Sequence, residues 1–289
     1  MTPVDARVES QSSAGTHEAA ETRPVALVKG AGDLASGVAL RLSRAGYSVV
    51  MTETPRPTVV RRAVAFAEAV YEGRAKVEDL EGVLAEDEQA VFELLSRNMV
   101  AVVVDPEARI RARLAPELVV DAIMAKRNLG TRLGDAPAVV ALGPGFVAGT
   151  DAHAVIETMR GPSLGRVLMS GEALPDTGVP ADRNGFGRER VLRSPGPGVF
   201  TPLVGIGDRV KKGQLVGRVG DAAVVSQLDG IVRGILHGGL VVDGGFKLGD
   251  VDPSAGVEEC YLVSDKALAV AEGVLEATLR LLGSPAAVG

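Results

Sequence analysis

Residues 25–37 read VALVKGAGDLASG, and this stretch decides the fold that we expect for the chain. A run of mostly apolar residues predicts a buried strand, and two glycines break the run where a helix would begin. Leu34, Val38 and Leu42 then recur at helical spacing, and residues 47–51 start another apolar strand. A strand, a glycine turn, a helix and a second strand in this order predict a ligand-binding βαβ unit.

The glycine turn fits the pattern of a dinucleotide-binding loop. Gly30, Gly32 and Ala35 match G-x-G-x-x-G/A, and Glu53 follows Gly32 by 21 residues at the end of the second strand. Glycines let backbone N–H groups approach a phosphate at a helix N-terminus, and a carboxylate can accept a ribose hydroxyl. The alternative is a tight turn without a ligand. The cofactor-binding residues expected at this loop are Lys29, Gly30, Gly32, Asp33, Gly37 and Glu53.

Further apolar runs predict a Rossmann-like parallel sheet in an α/β domain. Residues 99–104, 118–121 and 138–142 are such runs, separated by predicted helices. Ligands of such sheets sit beyond the carboxyl ends of the strands. Lys126 there is either an anion contact or part of an ordinary solvated helix end. The further cofactor-binding residues expected at these ends are Asp121, Lys126, Gly143 and Gly145.

Length and composition indicate a globular protein of two domains. The chain has 289 residues, of which 46% are hydrophobic and 24% charged. A net charge of −6 without a basic block argues against nucleic acid as the main partner. A single cysteine fits the cytoplasm, and no apolar run approaches the ~20 residues that span a bilayer. Three histidines exclude a histidine-rich metal site, so we expect no metal ligands.

The sequence divides into five segments. Residues 1–22 predict a disordered tail without the apolar core of a signal peptide, and residues 23–160 predict the ligand-binding domain. A connector over 161–190 precedes a β domain over 191–252, and 253–289 predict a C-terminal strand and helix.

The β domain carries an internal repeat. Nine positions within 198–219 recur at an offset of 32 residues within 230–251. Two halves of short strands and glycine turns predict a small sandwich or barrel. Residues 207–214, GDRVKKGQ, resemble the biotinyl/lipoyl barrel-sandwich hybrid. Carrier members of that fold attach a cofactor to a lysine between the halves, whereas residues 220–229 contain none, which favours a docking or structural role.

Two more helices are predicted, and the only cysteine precedes one of them. Apolar spacing predicts a helix over 59–71, with Arg61 and Arg62 facing outward. Ser264 or Asp265 caps a C-terminal helix that folds back on the α/β domain. Cys260 at its N-terminus is either an inert core residue or a catalytic thiolate of lowered pKa that carries sulfur or selenium.

Five motifs together resemble the YqeB-type proteins of the selenium-dependent molybdenum hydroxylase system. The motifs are VKGAGDLASG at 28–37, AFAEAVY at 65–71, AKRNLG at 125–130, LGPGF at 142–146 and SDKALA at 264–269. The resemblance implies a maturation factor for a molybdenum hydroxylase, with an N-terminal domain related to XdhC accessory proteins. It also implies molybdenum cofactor, in its molybdopterin or nucleotide form, as the ligand. The implied partners are the hydroxylase and a sulfur or selenium donor protein.

Two other functions stay open at this point. An NAD(P)-dependent oxidoreductase would place Glu53 on the adenosine ribose. A non-catalytic scaffold would join a chalcogen donor to the hydroxylase without binding either cofactor. Whether the chain is an enzyme and whether it forms homo-oligomers are not decided by the residues.

Overall fold

A computed structural model describes residues 23–178 and 185–283. The predicted tail at 1–22 lies outside the described residues, as does part of the predicted connector. The helices are α1 (Asp33–Arg44), α2 (Ala69–Glu72), α3 (Glu88–Ser96), α4 (Arg111–Leu114) and α5 (Asp265–Leu282). Within the described ranges, no helix is both long enough and apolar enough to cross a membrane.

The strands fall into an N-terminal and a C-terminal group. The first group is β1 (Val25–Lys29), β2 (Ser48–Glu53), β3 (Arg74–Val77), β4 (Leu80–Leu84), β5 (Val100–Val104), β6 (Leu118–Asp121), β7 (Ala138–Leu142), β8 (Val147–Ala148), β9 (Ala154–Ile156), β10 (Val167–Leu168) and β11 (Gly171–Glu172). The second group is β12 (Val191–Arg193), β13 (Gly198–Pro202), β14 (Arg209–Val210), β15 (Leu215–Val219), β16 (Ala222–Val225), β17 (Gly230–Ile235), β18 (Val241–Val242) and β19 (Lys247–Asp252).

Nine of the eleven strands described in the N-terminal group form a large mixed sheet, and β8 and β11 pair separately with each other. In the described part of the chain this sheet has nine strands in the order β10-β9-β7-β6-β1-β2-β5-β4-β3. The strands from β9 to β4 run parallel, whereas β3 pairs antiparallel with β4 and β10 pairs antiparallel with β9. The predicted pairing of a Rossmann-like parallel sheet with a barrel-sandwich hybrid is therefore wrong. Short connections explain the antiparallel edges, because a parallel crossover needs about a dozen residues or more.

Helices cover the large sheet because its central strands are apolar on both faces. β1, β6 and β7 are almost fully buried along their lengths. Helix α5 packs against α1, where a Cβ added to Gly37 would lie 3.0 Å from the Cβ of Ala267. The Ser264 hydroxyl caps α5 by accepting a hydrogen bond from the Ala267 N–H at 3.1 Å.

The predicted helix over residues 59–71 is wrong. The segment forms two 3₁₀ turns, Arg62–Val64 and Phe66–Glu68, and then the short helix α2. Arg61 lies before these turns and is buried, with only 7% of its surface exposed, although the helical pattern placed it in solvent. The segment is held by tertiary contacts: Arg62 Nε donates to the Ile235 carbonyl at 2.8 Å.

The C-terminal group, here named the β block (residues 191–252), consists of two four-stranded antiparallel sheets. Their orders are β12-β19-β17-β14 and β16-β15-β13-β18. The two repeats, β13–β15 and β17–β19, interlock because the short middle strand of each pairs with the first strand of the other. Apolar side chains of both sheets, among them Phe200, Val216, Val232 and Leu248, share one core.

The β block packs closely on the connection that follows β2. A Cβ added to Gly234 would lie only 2.7 Å from the Val60 carbonyl oxygen. This contact brings β17 beside Arg61, at the end of the large sheet where the β1 and β2 strands finish.

Candidate anion-binding cavity

A cavity of about 640 Å³ lies at the carboxyl ends of β1 and β2. One wall is the glycine loop and the first turn of α1, and a second wall is the start of α5. The third wall belongs to the β block. Because helix N-termini carry a partial positive charge, two such termini at one cavity favour an anionic ligand.

Cationic side chains dominate the lining of this cavity. The cationic lining residues are Arg61, Arg160, Arg233, Lys247 and Lys266, against the acidic residues Asp33, Glu53 and Asp250. Not all of these cations are free. Arg160 donates two hydrogen bonds to the Asp265 carboxylate, at 2.6 and 2.8 Å, and this pairing raises the pKa of Arg160.

Arg61 is a buried cation whose hydrogen-bonding capacity is only partly used. Its Nη2 donates to the carbonyl oxygens of Leu262 at 3.0 Å and Glu259 at 3.4 Å. Its Nε and Nη1 have no hydrogen-bond partner among the described residues, and Nη1 lies 3.9 Å from the Asp33 carboxylate. Burial, and next the positive charge of Arg233, lower the pKa of Arg61.

Arg233 and Lys266 are the neighbouring cations. Arg233 is 9% exposed, its Nε has no partner in the described part of the chain, and its Nη1 lies 4.0 Å from the Asp250 carboxylate. That carboxylate already accepts two hydrogen bonds from Arg190, at 3.0 and 3.1 Å. Burial lowers the pKa of Lys266. Cations held together with spare donors are costly unless an anion joins them.

Two amide groups of the glycine loop, those of Gly30 and Ala31, are occupied. The Ala31 N–H donates to the Glu53 carboxylate at 2.9 Å, and the Gly30 N–H donates to the Thr52 carbonyl at 2.8 Å. The second Glu53 oxygen accepts from the Thr54 N–H at 2.7 Å. Gly30 has a φ of +91°, and a Cβ there would lie 2.9 Å from the Ala122 carbonyl oxygen. This glycine is therefore required by the approach of two chain segments.

The other glycines of the predicted site have different surroundings. Gly32 lines the cavity, and a Cβ there would make only an ordinary 3.5 Å contact with Val59. Gly37 lies away from the lining, in the contact between α1 and α5. Gly143 packs on Thr158, and Gly145 packs on the backbone of Lys126 and Arg127. The prediction that Gly37, Gly143 and Gly145 contact the ligand is not supported by these positions.

Lys29 and Asp121 form a buried polar cluster beneath the cavity. Lys29 Nζ lies 3.3 Å from the Asp121 carboxylate, and the Thr131 hydroxyl, which accepts from Lys29, donates to Asp121 at 2.6 Å. Asp121 also accepts from the Ile123 N–H at 3.2 Å. Because the two charges neutralise each other and neither residue lines the cavity, this cluster holds the ends of β1 and β6 together.

Lys126 lies in a second cavity of about 560 Å³ that adjoins the first. The two cavities share Met124, Arg160, Arg233, Lys247, Asp250 and Lys266. Lys126 is exposed and pairs with Asp176, which lowers the pKa of that carboxyl. Lys126 therefore borders the combined space, but an acidic neighbour already balances its charge.

Cys260 is fully buried and does not line the cavity. Its Sγ lies 3.9 Å from the Val232 carbonyl oxygen, between the 3₁₀ turn Glu258–Cys260 and β17. Burial raises the pKa of the thiol, which favours the inert core residue over the thiolate of lowered pKa. A catalytic role for Cys260 stays a prediction, and its surroundings are those of a core residue.

Glu68, Glu72 and His237 are the described residues whose arrangement could hold a metal ion, with ligand atoms within 4.8 Å of one another. Glu68 is paired with Arg62, and the His237 ring stacks on Tyr71 at 3.9 Å. Both side chains thus have structural partners, and we assign no metal site there.

The most informative residues of the cavity were missed from the sequence. Arg61 was placed on a solvent face, and Arg233, Lys247 and Lys266 were not singled out. One signal was present: Arg233 interrupts the otherwise apolar and glycine-containing strand GIVRGI, which is buried almost throughout. A charged residue at an inward position of such a strand is unusual unless it is paired or serves a ligand.

Comparison with protein-family models finds no match. Two solved structures with weak similarity are the ectoine utilization protein EutE (DoeB) from Ruegeria pomeroyi and an aspartoacylase family protein from Mesorhizobium loti. The first has 14% identity and a TM-score of 0.24 over 80% of this chain and 85% of its own. The second has 12% identity and a TM-score of 0.26 over 81% and 86%. TM-scores this low carry no argument about fold or activity.

One curated protein is much more similar. The uncharacterized protein YqeB of Escherichia coli (strain K12) is 48% identical over 256 residues, which are 89% of this chain and 47% of that protein. The chain thus spans about half the length of this relative. The match confirms the resemblance to YqeB as far as the aligned residues extend. Over 89% of its length, then, the chain is a relative of one half of E. coli YqeB.

Proposed function

We propose that this chain binds molybdenum cofactor and serves the maturation of a molybdenum hydroxylase. The observation that carries the proposal is the cavity of about 640 Å³, lined by two helix N-termini and by buried arginines with unpartnered donors. Molybdenum cofactor carries a phosphate, which such a cavity suits. The placement in the selenium-dependent molybdenum hydroxylase system and the relation to XdhC proteins belong to the same proposal, and they rest on the resemblance of the five sequence motifs to YqeB-type proteins.

The residues that would hold this ligand are those of the cavity. Arg61, Arg233 and Lys266 would neutralise the phosphate, and the apolar lining around Val59 and Met124 would contact the pterin. The bound cofactor would supply a molybdenum centre for delivery to the hydroxylase. The chain's own groups would bind and orient it and would shield it from water. Delivery of sulfur or selenium by a donor protein, and a cytoplasmic location, belong to the same proposal.

An NAD(P)-dependent oxidoreductase is a weaker proposal on this geometry. It needs the Glu53 carboxylate for the adenosine ribose and the loop amides for the pyrophosphate. Both Glu53 oxygens instead accept backbone N–H groups, of Ala31 and Thr54. No contact in the described residues specifically favours the non-catalytic scaffold.

The ligand that is recovered with the protein tests the proposal. The full chain would be purified from cells that make molybdenum cofactor, then denatured and oxidised. We expect a fluorescent pterin in near-stoichiometric amount. A nicotinamide absorbance would favour the oxidoreductase, and protein that carries neither compound under these conditions would contradict both.

A further inference from the structure

The hydrogen-bond donors that have no partner indicate where in this cavity an anion would bind. Two amide groups of the glycine loop are engaged, because Ala31 N–H donates to Glu53 and Gly30 N–H donates to Thr52. A phosphate at Ala31 would have to displace the Glu53 carboxylate. Gly30 and Ala31 are therefore poorly placed to hold it.

Spare donors lie on the opposite wall of the same cavity. Only 7% of the surface of Arg61 is exposed, and its Nε and Nη1 are unpartnered among the described residues. Arg233, from the β block, contributes a second buried guanidinium with an unpartnered Nε. Leaving a buried donor without a partner destabilises the folded chain, and more so when the donor is charged.

The carboxylates nearby do not satisfy these arginines. Asp33 approaches Arg61 only to 3.9 Å, and Asp250 approaches Arg233 only to 4.0 Å while it accepts two hydrogen bonds from Arg190. Two guanidinium groups whose charges repel each other across a cavity are the arrangement that a phosphate with several acceptor oxygens would stabilise.

We propose that a phosphate or pyrophosphate group of the ligand is held between Arg61 and Arg233, with Lys266 at the start of α5 as a third cation, and not by the amide groups of Gly30 and Ala31. The site joins the two parts of the molecule, since Arg61 follows β2 of the large sheet and Arg233 lies on β17 of the β block. This inference deepens the proposed function. Only the identity of the whole ligand rests on that function, whereas the position of its phosphate group does not.

Inorganic pyrophosphate on the full chain is the probe. Thermal unfolding would be followed in increasing pyrophosphate against sodium chloride of equal ionic strength, and the dissociation constant would be measured by calorimetry. We expect the wild type to gain stability with pyrophosphate and not with chloride, because a ligand that binds only the folded state stabilises it.

Arg233→Met is the decisive variant, and Arg209→Met is its matched control. Arg209 is exposed on the same β block, and its replacement by methionine changes the net charge by the same amount. We expect Arg233→Met to weaken pyrophosphate binding at least about tenfold, and Arg209→Met to leave it within about twofold. Without pyrophosphate, the melting temperature of Arg233→Met should equal or exceed that of the wild type, because the change removes a buried cation that repels Arg61 and has an unpartnered Nε.

Gly32→Ala separates the arginine site from the glycine loop. The added methyl group meets only Val59 at 3.5 Å, and φ of −68° suits alanine, so the fold tolerates the change. Retained pyrophosphate binding in this variant supports the arginine site. Loss of binding in Gly32→Ala, or unchanged binding in Arg233→Met, would overturn it, as would a wild type that does not respond to pyrophosphate.

The two proposals fail separately. If Arg233→Met carried as much pterin as the wild type, the proposed function would stand and the arginine site would be refuted. Protein that binds pyrophosphate through Arg233 but never carries a pterin would keep the arginine site and refute the proposed cofactor.

Discussion

Lys266 is held in the first turn of α5 in a position that lowers its pKa. Burial is the main cause, and Arg160 adds to it, whereas Asp33, Asp176 and Glu157 act in the opposite direction. Together with Arg61 and Arg233, this lysine gives the cavity a charge that the protein alone does not neutralise. Such groups are characteristic of sites built for a ligand.

The first prediction concerns the pH dependence of stability through Lys266. Its pKa in the folded chain lies below the usual value of about 10.4, so between these two values the unfolded chain binds more protons. The contribution of Lys266 to the free energy of unfolding therefore rises with pH across that window. In Lys266→Met this rise should disappear, and the melting temperature at neutral pH should be unchanged or a few degrees higher. Urea unfolding of both proteins between pH 7 and 10.5 measures the difference. A variant with an unaltered pH profile would contradict the prediction.

The second prediction concerns Cys260. Because the thiol is fully buried and its pKa is raised, it should react with a soluble disulfide reagent at least about 100-fold more slowly in the native protein than in urea. The control is the urea-unfolded chain, measured at the same reagent and protein concentrations. Rapid stoichiometric labelling of native protein would show an accessible thiol and would favour the predicted role of Cys260 as a carrier of sulfur or selenium.

The contact between α5 and its neighbours fixes where the cavity wall stands. A Cβ added to Gly273 would lie 2.1 Å from the Gly165 carbonyl oxygen, and one at Gly165 would lie 2.3 Å from the Ala269 carbonyl oxygen. Such close approach of backbone to backbone leaves no room for a side chain. The start of α5, with Ser264 and Lys266, is therefore positioned by a contact between Gly273, farther along the helix, and Gly165 of the segment before β10.

The third prediction tests this contact with two glycines inside helices. Gly→Ala in a helix normally stabilises by about 0.5–1 kcal/mol. For Gly273→Ala we expect destabilisation by about 1–3 kcal/mol, because the methyl group collides with backbone. Gly37→Ala is the control, since its Cβ would lie 3.0 Å from the Ala267 Cβ and 3.2 Å from the Ala267 carbonyl oxygen, against 2.1 Å at Gly273, and we expect an effect within about 1 kcal/mol and unchanged pyrophosphate binding. Denaturant unfolding measures both, and a stabilised Gly273→Ala would refute the contact.

The whole molecule brings the β block onto the large sheet so that one cavity has walls from both. Arg62 donates to Ile235, Arg61 donates to Leu262, and Gly234 lies against Val60. Removal of the β block would take Arg233, Lys247 and Asp250 out of the cavity. The predicted ligand-binding domain, residues 23–160, therefore lacks these three residues, which line the cavity.

The fourth prediction tests the coupling between the β block and the large sheet. Gly234→Ala places a methyl group 2.7 Å from the Val60 carbonyl and should shift β17 away from Arg61. Pyrophosphate binding should then fall about tenfold or more, although no cavity side chain is changed. Gly205→Ala in the same β block is the control, because its nearest neighbour beyond the adjacent residues is Asp208 at 3.7 Å. Calorimetry measures both, and equal binding by the two variants would contradict the coupling.

The sequence by itself determined the local elements. The apolar run and glycines after residue 25 predicted β1, the turn and α1, and Ser264 is the cap of α5 among the two candidates, Ser264 and Asp265. The offset of 32 residues indicated two similar halves, which the structure shows as β13–β15 and β17–β19. These features depend on side-chain periodicity and hydrogen bonds within a few residues, so they can be read from neighbouring positions.

Only the tertiary structure decided the sheet edges and the cavity. Arg61 looked like a solvent residue of a helix, but its donors meet carbonyl groups of residues about 200 positions later, at Glu259 and Leu262. Glu53 matched a ribose ligand by spacing, and the fold instead placed its carboxylate on Ala31. Burial and hydrogen-bond partners are properties of segments distant in the chain, and no local pattern contains them.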